Sequence, residues 1–143
     1  MGPLYLFDTT IILELVRGKA RGLEIESTYG LRNLQQRPLI CEVTIAELEV
    51  LATRNGWGSR RRLLLADAVG NLVRVNISAG AIHNAYHDID LLSQRHPKGS
   101  RNMGKNDLWI AACAKATGAH LLTADKDFDH LFEASAIEGT KVV

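Results

Sequence analysis

Cysteine is scarce in this chain, with two residues among 143, and neither sits where a staple or a metal knot would need it. Cys41 and Cys113 lie in the apolar runs LICEV and IAACA, which makes them buried thiols behaving as small hydrophobes and suits a reducing compartment. A charge excess is also missing: the formal net charge is +1, so wholesale wrapping of nucleic acid is excluded while a local basic patch is not. No apolar run approaches the length of a membrane span. The N-terminal stretch MGPLYLFDTT reaches an acid too soon to hold a secretory h-region, and a cytoplasmic protein with no membrane partner is expected. Repeats, low-complexity tracts and linkers are lacking too, so residues 1–143 are expected to form a single domain.

What is present is a packed composition, 46% apolar and 23% charged, carrying strands and helices in alternation. Leu4–Asp8 reads as a strand. Thr9 and Thr10 offer cap hydroxyls to a helix over Ile11–Val16, and a second helix spans roughly Gly22–Gln36. Pro38 stops that helix and opens a strand over Leu39–Cys41. The run VTIAELEVLATRNG is a helix halted by Gly56, followed by a helix over Ser59–Asn71 and a strand over Leu72–Asn76. A long helix capped by Ser78 runs to Gln94. His96–Lys105 is a loop, Asp107–Thr117 an Ala-rich helix ended by Gly118, and Ala119–Thr123 a strand. A turn and short helix over Asp125–Phe132 and a last strand over Thr140–Val143 close the chain. Such alternation predicts βαβ units with right-handed crossovers around a parallel sheet.

In such a sheet, ligand chemistry gathers beyond the carboxyl ends of the strands. Four acids from distant parts of the chain fall there. Asp8 ends the first strand, Glu47 lies in the first turn of the third helix, Asp107 opens the Ala-rich helix, and Asp125 follows LLT. Each also has a plain structural use. Asp8 and Asp125 suit caps, Asp107 suits a helix N-terminus, and Thr44-Ile-Ala-Glu47 is a formal capping box. Capping alone does not require every cap to be an acid on one edge of the sheet. Convergent carboxylates raise one another's pKa unless a cation sits among them, and an all-oxygen set selects Mg²⁺, with Mn²⁺ a possible substitute. That combination performs metal-assisted phosphodiester hydrolysis.

These motifs together resemble a PIN domain. The strand into Asp8-Thr-Thr, Thr44-x-x-Glu47 heading a Leu-rich helix, the block NDLWIAACA and the block LLTADKDF occur in the family's order across nearly the whole chain, and are most similar to VapC-type toxins. The resemblance implies a three-layer α/β/α sandwich and an endoribonuclease bound by a cognate antitoxin, commonly as a homodimer. It also implies catalytic roles for Asp8, Glu47, Asp107 and Asp125, with Thr123 beside the metal-bound water. Asp127 stands where some members place an additional metal-binding acid. Thr10 departs modestly, since many members carry Asn or Ser there. Housekeeping RNA processing, action on DNA, or a metal-free binding module are the alternative readings.

Other signals carry less. The loop cations Lys98, Arg101 and Lys105 lead straight into Asp107 and are candidates to grip RNA phosphates, with plain surface charge the equal alternative. Arg60-Arg61-Arg62 reads first as a solvated face. His83 and His87 have helical spacing but no third ligand, which argues against zinc. Asp125-Lys-Asp-Phe-Asp129 lacks the Gly and Glu of an EF-hand loop, having His130 and Ala136 in their places. Trp109 reads as core or dimer interface. A phosphate-cradling glycine loop is absent, which disfavours a receiver or phosphatase.

Overall fold

The computed structural model describes residues 2–143. Five short strands form one sheet: β1 (Tyr5–Phe7), β2 (Leu39–Cys41), β3 (Val73–Val75), β4 (His120–Thr123) and β5 (Gly139–Lys141). All four pairings are parallel and the order is β3-β2-β1-β4-β5. The chain therefore steps outward from β1 in one direction, then crosses back to build β4 and β5 on the other side. The crevice between β1 and β4 is the topological switch point.

Seven α-helices cover the two faces: α1 (Thr9–Arg17), α2 (Ala20–Thr28), α3 (Glu42–Arg54), α4 (Ser59–Gly70), α5 (Gly80–Gln94), α6 (Lys105–Thr117) and α7 (Asp129–Glu133). Alternation along the strands decides which core each residue joins. Leu6 and Leu121 face the core built with α5, α6 and α7, where Ile89, Ala111, Cys113, Phe128 and Leu131 are packed. Phe7, Ile40 and Leu122 face the opposite core, with Ile11, Ile12, Ile25, Leu48 and Leu65 from α1 to α4. The result is a three-layer α/β/α sandwich, as the alternation of strands and helices predicts. Among the described residues no helix is long and apolar enough to cross a membrane.

Element boundaries shift from expectation by a residue or two at several ends, and the following differences shape the frame of the site. The second helix ends at Thr28, and a 3-10 turn over Leu31–Asn33 replaces its last part, because Gly30 adopts a left-handed conformation with φ of 60°. Ser78 does not cap α5, for its amide and hydroxyl both donate to Asn76 Oδ1 and the cap position falls to Ala79. Lys105 leaves the loop to become the first residue of α6, which puts Asp107 third in that helix. The last strand is Gly139–Lys141, one residue earlier than expected. Gly22 sets how α2 meets α1: a β-carbon there would lie 2.3 Å from the Glu14 carbonyl oxygen, so only glycine permits this approach.

Candidate metal centre and active site

Asp8 sits at the carboxyl end of β1 in extended conformation and caps α1, accepting the Ile11 amide at 3.2 Å through Oδ1. The same oxygen accepts Thr10 Oγ1 at 2.6 Å, and Oδ2 accepts Thr123 Oγ1 at 2.5 Å. Both hydroxyls are themselves tied to the β4 end. Thr10 Oγ1 accepts the Ala124 amide at 2.9 Å, and Thr123 Oγ1 accepts the Asp125 amide at 2.9 Å. This ladder laces the two strands together across the switch point. Burial pushes the Asp8 carboxyl above its ordinary range, with these three donors opposing the rise and Asp125 adding to it. Capping and site geometry thus coexist in one residue.

Glu47 is not part of a capping box. The third helix begins at Glu42 with Cys41 at the cap position, so Thr44 is inside the first turn and Glu47 in the second. The Thr44 hydroxyl is fully buried without a partner. Glu47 instead reaches across the rim. Thr9 Oγ1 donates to its Oε1 and Asn106 Nδ2 donates to its Oε2, the latter at 2.9 Å. One carboxylate therefore connects α1, α3 and α6.

Asp107, in the first turn of α6, meets Asp125 and Asp127 across the crevice. Each of these three offers a carboxylate oxygen, and the three oxygens lie within 4.8 Å of one another. Asp125 follows β4 by one residue and caps the short 3-10 turn Lys126–Phe128, accepting the Asp127 amide at 2.9 Å. That bond holds the Asp127 backbone against the Asp125 carboxylate. Asp107 has its pKa raised to about 7, first by burial, then by Asp125, Asp8, Asp127 and Glu47. All five acids therefore share one electrostatic neighbourhood, with Asp8 and Glu47 flanking the tighter trio. Among the described residues, ion pairs engage Glu14, Glu26, Asp88 and Asp129, and none of these five. An oxygen-only cluster free of ion pairs among the described residues, with Asp107 and Asp8 pushed up by burial and by neighbouring acids, fits a hard divalent cation.

The remaining candidates are placed as follows. Lys98 and Lys105 are exposed, while Arg101 is half-buried, its amide bonded to the Ser93 carbonyl at 2.7 Å. Arg61 and Arg62 serve the turn before α4: Arg61 lies over the Trp57 ring at 5.4 Å, and Arg62 Nε donates to the Trp57 carbonyl at 3.0 Å. His83 meets the Trp109 ring edge-on, and Trp109 also packs against Tyr86 with ring centroids 4.4 Å apart. Cys41 and Cys113 are buried free thiols with sulfurs 3.4 Å apart. Burial and its bond to the neighbouring sulfur push Cys113 up, while donation from Cys113 holds Cys41 down. Reading the sequence missed Thr9 and Asn106 as supports of Glu47. Their adjacency to Asp8 and Asp107 was the only available signal.

Fold and site define an α/β/α protein whose acids converge at the switch point of a parallel sheet. The profile of the PIN domain matches residues 5–133. The chain belongs to the PIN domain family, a family of nucleases that use divalent metal. No curated protein matches it in sequence. Among solved structures it is similar to VapBC2 from Rickettsia felis, bound to a promoter DNA fragment, with a TM-score of 0.73 and 18% identity, covering 96% of this chain and 97% of that one. VapBC-1 from nontypeable Haemophilus influenzae gives a TM-score of 0.72 and 21% identity, covering 96% and 97%. FitAcB from Neisseria gonorrhoeae gives 0.65 and 18%, covering 95% and 96%.

Proposed function

We propose that this protein is a Mg²⁺-dependent endoribonuclease and the toxin of a toxin–antitoxin pair. The observation that carries this reading is the trio Asp107, Asp125 and Asp127 at the switch point, with carboxylate oxygens within 4.8 Å of one another, no ion pair to any of them among the described residues, and the Asp107 carboxyl raised to about 7 by burial and then by the acids around it. These three residues would hold Mg²⁺, or Mn²⁺ in its place, with Asp8 and Glu47 at the flanks. A bound divalent ion supplies charge neutralisation at phosphate and acidifies a water nucleophile. The chain's own groups do the positioning. Thr10 and Thr123 fix the Asp8 carboxylate, Thr9 and Asn106 fix Glu47, and the Asp125 cap fixes Asp127. Lys98, Arg101 and Lys105 are the candidate contacts to RNA phosphates. Water attack at phosphorus leaves 5′-phosphate and 3′-hydroxyl ends.

The partner reading rests on the similar structures, which are toxin–antitoxin complexes, and on the resemblance of motif order. A cognate antitoxin, a homodimer and a cytoplasmic location are part of the same proposal. The test uses purified protein with end-labelled structured RNA and with DNA of the same sequence. Cleavage of RNA in Mg²⁺, abolished by EDTA and by Asp107→Asn, is the expected result. Cleavage of DNA alone would move the reading to a DNA nuclease. RNA cleavage unaffected by EDTA or by Asp107→Asn would refute the site.

A further inference from the structure

Beside the acid trio lies a separate cavity of about 350 Å³, between the end of α5 with its following loop and the segment from Lys126 to Glu133. Asp127 forms part of its wall, so cavity and acid cluster share a boundary. The volume falls at the low end of small-ligand sites, enough for one flat heterocycle and too little for a helix or duplex.

The lining is specific in chemistry. His130 is buried, with its Nε2 2.8 Å from Ser93 Oγ. The same Ser93 oxygen lies 3.5 Å from Met103 Sδ. The serine hydroxyl thus ties the His130 ring edge to the Met103 side chain and holds both against the cavity wall. Burial and the neighbouring His96 and Arg101 hold the ring below the usual histidine range, so it is neutral at pH 7. His96 stands edge-on to it at 6.1 Å, giving a wall of two imidazoles and the Met103 thioether. Asn102 adds an amide able to donate and accept.

Charge decides which part of a nucleotide enters. Arg101 and Lys126 would attract a phosphate, but Asp127, Asp129 and Glu133 border the same space. Lys141 approaches only Asp129, at 3.6 Å. A free polyanion is therefore repelled from the interior, while an uncharged base edge finds both donors and acceptors there. Unpaired RNA bases are recognised in this manner, stacked on histidine or arginine and hydrogen-bonded along an edge.

We infer that this cavity is a base-recognition subsite, receiving one unpaired RNA nucleotide next to the scissile phosphate, with its base against His96, Met103 and His130 and its phosphate on Arg101 and Lys126. The inference rests on the nuclease reading for its substrate class, yet its test is independent of catalysis. The full-length protein, ¹⁵N-labelled and in EDTA, is titrated with the four 5′-nucleoside monophosphates and, separately, with inorganic phosphate. Saturable shifts confined to residues 96–103 and 126–133, with at least fivefold preference for one base, are expected. The surface double variant Arg101→Ala/Asn102→Ala should weaken that binding at least tenfold while keeping the wild-type amide spectrum elsewhere. In the nuclease assay the same variant should raise KM and blur the cleavage sequence. Phosphate binding equal to that of all four nucleotides, shifts elsewhere, or a double variant with unchanged affinity would overturn the subsite. Failure of Asp107→Asn to affect cleavage would instead overturn the acid centre, so the two failures are distinguishable.

Discussion

Replacing Asp107 by asparagine should stabilise the metal-free protein while abolishing its activity. The Asp107 carboxyl is held at about 7, against 3.8 for an ordinary aspartate. At 1.36 kcal/mol per tenfold, keeping it ionised above pH 7 opposes folding by at most roughly 4 kcal/mol. The side chain is only half-buried, so solvent screening reduces that figure to about 2 kcal/mol. Asparagine also forfeits up to about 1 kcal/mol of favourable interaction with the N-terminus of α6. The net gain is about 1 kcal/mol, or about 3 °C in Tm for a domain of this size. The sign follows from linkage. A carboxyl whose pKa is raised on folding destabilises fully above its folded value, and the effect fades as pH falls toward 3.8. Thermal unfolding in EDTA should therefore show the variant ahead at pH 8 and level with wild type near pH 4. With 10 mM Mg²⁺ the order reverses, since only the wild type gains by mass action, by about 2.7 kcal/mol at a hundredfold excess over Kd. A variant no more stable than wild type at pH 8 in EDTA, or a difference flat in pH, would refute the claim of crowded like charges.

Three other substitutions probe the framework around the acids. Thr123→Val removes the 2.5 Å donor to Asp8 and should cost about 1–3 kcal/mol at pH 8 by urea unfolding, less at pH 5, because Asp8 then ionises against burial with less help. Asn106→Ala frees Glu47 Oε2 and should lower kcat/KM about tenfold, equivalent to roughly 1.4 kcal/mol, with an unchanged near-ultraviolet circular dichroism spectrum. Gly22→Ala drives a methyl into the Glu14 carbonyl at 2.3 Å, and separating α1 from α2 should cost about 1–3 kcal/mol in denaturant midpoint without altering cleavage chemistry.

The layered fold was readable because β1, β2 and β4 are buried strands bounded by Asp8, Pro38 and Gly118, and the helices between them carry apolar residues at helical spacing. That the candidate acids would share one edge of the sheet was readable for a related reason: Asp8 and Asp125 stand just past strands and Asp107 just inside a helix. Their division of labour was not. Thr44 and Glu47 match a capping box in spacing, yet the buried Cys41 extends α3 upstream and turns Glu47 toward Thr9 and Asn106. Hydroxyl ladders such as Thr10 to Ala124 join residues 114 apart, and spacing along a chain carries no trace of such a bond. The Ser78 cap failed because Asn76, two residues earlier, offered its hydroxyl and amide a nearer acceptor.

The bond from Thr123 to Asp8 spans 115 residues, and the trio that would hold the ion belongs entirely to the segment from α6 onward. The first hundred residues carry the segments of β1 to β3 and, of the five acids, only Asp8 and Glu47. The five acids stand together only where β4 lies beside β1, with Asp125 next to Asp107. For the ribonuclease proposed above, truncated or stalled products would lack the acid trio and spare the message that encodes them.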